Sequence, residues 1–463
     1  MSGAPDRARR IVRLREGVNA VRTATGVTAL TAWPHVGAIG RLSEGQHAAL
    51  RKLAADTAPE DLAPLCPAGE AVELLARLRA GGWLIGTVVG GDGTALFTTR
   101  HLWPPKKPAP PAEPRTLSRF AAVRRDGDAL LVESPVASCV LRLYDSRLVE
   151  TVVTAGAGEP SRSGLPAGLV ELLLDDLADG GFLASAAETD TLGGAQWSPH
   201  ELAFHHGSRL RHEHRMGEDF GGTYWARDTF PAPPGPHPVW TAGGIELARP
   251  DPQRLRAQDP PLAAVMEDRR SLRAYDEARP LTVEELGEFL FRTARVRATG
   301  ADQGLDVSDR PHPGGGAAHE LELYPLVHRV RGLESGLYHY DPYHHRLSRV
   351  PARAGELRRL LTGSAAGMTG DATPQVLVVL ASRFGRLAWK YRAMAYALTL
   401  KHVGVLYQNM YLAATAMGLA PCALGVGDSD AFAAATGLDA LTETSVGEFA
   451  LGSRPRAAHE ETG

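Results

Sequence analysis

Twice in the first two hundred residues, apolar positions recur three and four apart, stop at Gly-Gly and resume through an aromatic residue. Ala71 to Leu84 (AVELLARLRAGGWL) and Leu169 to Leu183 (LVELLLDDLADGGFL) each predict a Leu-rich helix, a left-handed glycine end and a new strand. Between them, Leu130 to Leu143 alternates as a β-hairpin does. Helix, glycine and strand in that order is how a winged-helix unit ends. The pattern therefore predicts an N-terminal α/β region of tandem winged-helix-like units, 1–103 and 115–200; two unrelated amphipathic helices are the plain alternative. The second helix carries Glu171, Asp175, Asp176 and Asp179, an acidic face that repels phosphate and suits peptide docking better than DNA.

After Pro260 the elements lengthen. Leu262 to Asp268 opens a helix, and Thr282 to Thr293 predicts another, with Thr282 as N-cap and Glu285 three residues on. Leu321 to Val330 alternates like a strand, Gly336 to Tyr340 and His345 to Val350 can pair around Asp341-Pro342, and Gln375 to Ser382 is an apolar strand covered on both faces. A long helix is expected from about Leu387 to Met417, roughly 45 Å at 1.5 Å per residue. The Pro-rich stretches Pro104–Pro114 and Pro231–Pro238 interrupt regular structure. The second is the expected main boundary, giving a linker over 201–259 and an α+β domain over 260–458 built on the long central helix.

Composition narrows the function classes. The 463 residues are 44% hydrophobic with a formal net charge of -3, so no strongly basic field is present to attract nucleic acid. The N-terminus lacks the apolar core of a signal peptide, and no uncharged apolar run of about 18 residues is found, so a cytoplasmic protein without a membrane span is expected. Cys66, Cys139 and Cys422 form no CxxC pattern, and the histidines at 205, 206, 212 and 214 lack HExxH spacing, so no metal site is expected. Only five of the 50 basic residues are lysines, which makes isolated arginine pairs uninformative and each lysine notable.

Four segments could carry chemistry. Arg269-Arg270-Ser271-Leu272-Arg273 offers guanidinium forks and a hydroxyl for a phosphate, or else is a solvated basic turn. Pro313-Gly314-Gly315-Gly316 lets backbone approach a flat ligand, although neither a P-loop nor a Rossmann fingerprint follows. Lys390 and Tyr391 can form an acid/base pair: burial is expected to lower the lysine pKa, and an ammonium favours a phenolate. On one continuous helix, Lys390, Lys401 and Gln408 fall within about 20° of one face. Gly418 to Asp428 is a small-residue turn that could aim backbone donors at a ligand edge, with Cys422 as packing.

Taken in order, RRSLRAY (269–275), PGGGAAHELELY (313–324), GLYHYDP (336–342), WKYR (389–392), QNMYLAATAMGLAPCALG (408–425) and ALGSRP (450–455) resemble the nitroreductase-like FMN enzymes. Within them they are most similar to the SagB-type dehydrogenases, which oxidise azoline rings of ribosomal peptides to thiazoles and oxazoles. The resemblance covers Leu262 to Pro455, and Leu202 to Gly222 is similar to the segment preceding that domain. It implies an FMN phosphate held by Arg269, Ser271 and Arg273 with Arg454 in addition. It also implies Pro313, Gly314, Gly315 and Gly316 along the isoalloxazine, Gly425 at its N5 and O4 edge, and Lys390 and Tyr391 as the catalytic pair. A homodimer, an azoline-containing precursor peptide and a cyclodehydratase partner are implied with it. The chain departs from the pattern twice: many relatives have Ser-Gly-Gly where Gly314-Gly315-Gly316 stands, and Glu320 replaces a usual proline. An NAD(P)H-dependent nitroreductase and a non-catalytic peptide-binding scaffold are the alternative functions.

Overall fold

The computed structural model describes residues 8–33, 35–103, 115–156, 163–211, 214–241, 243–368 and 372–455, and the chain divides into two compact units, Met1–Arg215 and Met216–Gly463. The stretch Pro104–Pro114 lies outside the described residues, as does His212 of the histidine group.

In the first unit the strands Arg9–Leu14 (β1), Leu84–Val89 (β2), Ala95–His101 (β3), Ala122–Asp126 (β4), Ala129–Glu133 (β5) and Cys139–Leu143 (β6) form one antiparallel sheet in the order β1-β2-β3-β6-β5-β4. The hairpin expected over Leu130 to Leu143 is β5 and β6. Since β3 pairs with β6, the segments 1–103 and 115–200 contribute to a single sheet. The two Leu-rich helices, Ala68–Ala80 (α1) and Ala167–Asp179 (α2), end alike. Gly82 and Gly181 take φ +70° and +76°, and the amides of Trp83 and Phe182 donate back to Leu78 and Leu177 carbonyls at 2.9 Å. A Cβ resists that left-handed backbone, so glycine stops the helix and turns the next aromatic ring into the core. The acidic face expected of α2 is broken at Asp176, which is buried and accepts from Arg10 at 2.8 Å and from the Thr99 hydroxyl. A buried carboxylate must be paired, and this pair ties the helix to the sheet. A short helix, Pro199–Gly207 (α3), closes the unit.

The second unit is organised by a seven-stranded antiparallel sheet. Its strands are Ile245–Glu246 (β7), Leu321–Val327 (β10), Gly336–Asp341 (β11), Arg346–Val350 (β12), Val376–Ser382 (β13), Leu419–Leu424 (β14) and Thr444–Ser453 (β15), ordered β7-β12-β11-β10-β13-β15-β14. A separate hairpin joins Ala298–Asp302 (β8) to Leu305–Asp309 (β9). Every residue of β13 is buried, and alternation sends Val376, Val378 and Leu380 into one core and Leu377, Val379 and Ala381 into the other. The helices Leu262–Asp268 (α4) and Val283–Ala294 (α5) fall where predicted, and α5 carries the capping box of Thr282 and Glu285. Truncating Leu380 in this double-faced strand should cost about 2–5 kcal/mol.

Two expectations are corrected. The helix predicted from 387 to 417 is two helices, Phe384–Lys390 (α6) and Ala395–Ala416 (α7). The Lys390 carbonyl accepts amides of Thr223 and Tyr224 at 3.0 and 2.9 Å, Tyr391 and Arg392 pair with Gly222 and Gly221, and Ala393 takes φ +63°. A carbonyl so occupied is withdrawn from the helical ladder, and the chain resumes only after a strained residue. Lys390 therefore shares no helix face with Lys401 and Gln408, and the last two are exposed. The division of the chain falls at Arg215, not in Pro231–Pro238, because that stretch is bound into the second unit. Its prolines lack amides but keep carbonyls: Arg383 donates to Pro234 and Gly235 at 2.7 and 2.9 Å, and Arg386 to Pro233 and Pro234 at 2.8 and 2.6 Å.

Candidate active site

The glycine loop sits just before β10 and meets the Lys-Tyr pair directly. Gly316 has φ +57°, and a Cβ placed there would lie 2.5 Å from Lys390 Nζ and 2.9 Å from the Tyr391 hydroxyl. Only glycine permits both that backbone and that approach. Gly315 N–H donates to His402 Nε2 at 2.8 Å, and His402 Nδ1 faces Glu320 Oε1 at 2.8 Å. Pro313, Gly314, Gly315, Gly316, Lys390 and Tyr391 are thus one neighbourhood.

Lys390 is buried, and its Nζ donates to Asp302 Oδ2 at 2.7 Å. The Tyr224 hydroxyl donates to the same oxygen at 2.7 Å, with Lys390 Nζ 5.0 Å from the Tyr224 ring centre and 5.7 Å from that of Tyr391. Asp302 closes β8 at a two-residue turn in which Gln303 and Gly304 take φ +48° and +88°, the geometry that matches the twist of a tight hairpin. Burial does depress the Lys390 pKa, as expected, but the Asp302 carboxylate and the Tyr224 hydroxyl outweigh it, and the net shift is upward. Lys390 is therefore held as an ammonium, which corrects the expectation of a lowered pKa. The Lys390 and Tyr224 bonds in turn hold the Asp302 carboxyl below its ordinary range. On the other side of the loop, burial and then Arg310 push His312 down to about 4 and His319 down to about 2, so both rings are neutral.

The arginine segment forms a second neighbourhood. Leu272 N–H donates to the Pro421 carbonyl at 2.8 Å, which lays 269–273 beside β14. Ser271 Oγ lies 2.8 Å from the Tyr411 hydroxyl, which also accepts the Ala423 amide at 2.8 Å, and Arg269 stands 5.3 Å over the Tyr411 ring. Gly425 follows two residues after Ala423, and Arg454 leaves β15 next to Ser453, whose carbonyl accepts the Asp276 amide. Among the described residues, Arg269, Arg273 and Arg454 make no ion pair. Cys422 is buried and free, with its thiol pushed up by burial.

The two neighbourhoods do not meet within one chain. His402 and Tyr411 are nine residues apart on α7, which puts them about 180° around and about 13 Å along the helix. Tyr224, Asp302 and His402 were not singled out from the sequence. The Gln303-Gly304 turn could have flagged Asp302, and a lone histidine in an apolar helix could have flagged His402; nothing local marks Tyr224. Among the described residues no group of three His, Cys, Asp or Glu side chains could hold a metal, and no helix is long and apolar enough to cross a membrane.

Known proteins give these neighbourhoods a context. Residues 266–453 match the Nitroreductase family, and residues 115–214 match Cyanobactin oxidase ThcOx. The chain is 29% identical over 181 residues to MJ1384 of Methanocaldococcus jannaschii, a nitroreductase by name, covering 39% of this chain and 84% of that protein. It is 32% identical over 110 residues to the trifolitoxin-processing protein TfxB of Rhizobium leguminosarum bv. trifolii (23% of this chain, 30% of TfxB). It is 31% identical over 115 residues to the microcin B17-processing protein McbC of Escherichia coli (24% of this chain, 42% of McbC). The chain thus spans less than half the length of these two processing proteins. The solved E. coli microcin synthetase McbBCD complex with truncated pro-MccB17 aligns at 20% identity and a TM-score of 0.35, over 48% of this chain and 79% of that one. Over residues 266–453 the chain is therefore similar to the Nitroreductase family, and the segment before that stretch is similar to Cyanobactin oxidase ThcOx.

Proposed function

We propose that the protein is an FMN-dependent azoline dehydrogenase that converts thiazoline or oxazoline rings of a ribosomally made precursor peptide to azoles. The observation that carries this reading is the packing of Lys390 and Tyr391 against Gly316, where a flat ring and an ionisable pair would share one face. The relatives named for trifolitoxin and microcin processing support the peptide substrate.

The residues fit FMN. Arg269, Arg273 and Arg454, free of ion pairs among the described residues, with Ser271 beside them, would hold its phosphate. Pro313 to Gly316 would lie along the ring system and the backbone at Gly425 along its edge. Bound FMN supplies a hydride acceptor. Aromatising an azoline also removes a proton from the former α-carbon, and Tyr391 would take it. Lys390, kept charged by Asp302 and Tyr224, would fix that corner of the site.

Two copies would complete one site, since the arginine and glycine neighbourhoods lie on opposite sides of α7. Exposed apolar side chains support a homodimer: Tyr396 and Leu400, one turn apart on α7, and Leu262 and Met266 on α4. The precursor peptide, and a cyclodehydratase that makes its azolines, would dock on the first unit. That unit has a cavity of about 1160 Å³ over its sheet, lined in part by Arg100, Arg124, Arg142 and His200. The repeated helix, Gly-Gly and strand order supports the winged-helix-like reading of the same region.

The test is to purify the protein, look for the yellow chromophore and mix it with a thiazoline peptide. A loss of about 2 Da per ring that vanishes in Lys390→Met and Tyr391→Phe is expected; a colourless, inert protein overturns the proposal. Rapid flavin bleaching by NADPH without peptide would instead favour the nitroreductase reading that the similarity to MJ1384 leaves open.

A further inference from the structure

We propose that His402, fixed by Glu320, is a positioning residue that sets the glycine loop in the shape the flavin meets; the inference rests on the FMN reading above. Gly315 N–H can only donate, so His402 Nε2 must carry a lone pair. Its proton is then on Nδ1, where the partner among the described residues is Glu320 Oε1 at 2.8 Å. One backbone amide thus determines the tautomer, and the carboxyl holds the ring in it.

The arrangement is costly unless it does something. Glu320 is fully buried, His402 is nearly so, and Glu320 Oε2 is a buried oxygen without a hydrogen-bond partner. An apolar pair of similar size would pack there without that desolvation penalty. What the pair secures is the Gly315 peptide. The next residue is Gly316, whose Cα lies against Lys390 and Tyr391, so a rotation of the Gly315 peptide moves the loop relative to both.

FMN titrated into the full-length apoprotein, followed by flavin fluorescence and absorption, tests it. His402→Leu and Glu320→Leu should each weaken FMN binding by about 5- to 100-fold and alter the bound-flavin spectrum. The double variant should be within about threefold of His402→Leu, since both changes break one chain of bonds. His402→Gln, whose amide can accept from Gly315 and donate to Glu320, should recover affinity and spectrum. Wild-type affinity and spectrum in His402→Leu would overturn the proposal. So would a His402→Gln protein as weak as the leucine variant, with the same fall in melting temperature, which would mark mere packing. A wild-type chain that takes up no FMN overturns the functional reading and this inference together.

Discussion

The two sides of the central helix are built on opposite principles. Around Lys390 the polar groups are already spent on one another: Lys390 on Asp302, Tyr224 on the same oxygen, Gly315 on His402 and His402 on Glu320. Around Ser271 three guanidinium groups have no carboxylate among the described residues, and only Ser271 and Tyr411 are locked together. On the proposed function, the corner that would need fixed geometry has its groups satisfied in advance. The side that would admit a phosphate has its cations unmatched, so no preformed ion pair would have to be broken first.

The sharpest way to break this contrast is at the chemical centre. Tyr391→Phe should retain FMN yet lose azoline turnover by about 10²–10⁴-fold, the usual weight of a positioned base; a variant with wild-type turnover would remove Tyr391 from the reaction. On the open side, Arg273→Ala should weaken FMN binding by about 10- to 150-fold, increasingly so at low salt, while the apoprotein melts no earlier than wild type. Earlier melting would mean that the arginine serves the fold.

A third test concerns the support beneath Gly425. Gly427 packs on the buried Glu448 carboxyl, which burial and then the Asp428 charge push up to about 7. A carboxyl raised in the folded state stabilises below its unfolded pKa and loses that contribution as pH rises through 7. Glu448→Gln should therefore gain stability over wild type, by about 2 kcal/mol more at pH 8 than at pH 5, measured by urea unfolding. A pH-independent difference would contradict a neutral Glu448.

The smallest effect is expected at Tyr224. Tyr224→Phe removes one of the two bonds to Asp302 and should change turnover about fivefold. Asp302→Asn should move the basic limb of the pH profile downward, because the raised Lys390 pKa depends on that carboxylate. An unmoved limb would show that Lys390 ionisation does not govern it.

Much of the second unit was legible because its signals are local. The Thr282 cap, the alternation in β10 and the apolar run of β13 each state their element within ten residues. The glycine loop and the Lys-Tyr pair were legible for a different reason, the order of short motifs. The break after Lys390 was not, since no Gly or Pro marks it and the competing bonds come from Thr223 and Tyr224, far away in the chain. Asp176 was misread for a similar reason: a residue on an acidic helix face declares nothing about the Arg10 and Thr99 that bury it. Partners distant in sequence are where pattern reading ends.

The break after Lys390 also has a mechanical meaning. The residues from 387 to 417 would by their own pattern wind as one rod, and two amides from the strap at 223–224 hold that rod open at a single carbonyl. Were the strap cut, the natural relaxation is for α6 and α7 to fuse, turning successive side chains by about 100° and swinging Tyr391 away from Lys390. Nicking the chain within 225–240 should then raise the helical signal in far-UV circular dichroism as turnover is lost, whereas a fall in both would show that the rod is not spring-loaded. The strap would be the catch that keeps the reactive corner cocked.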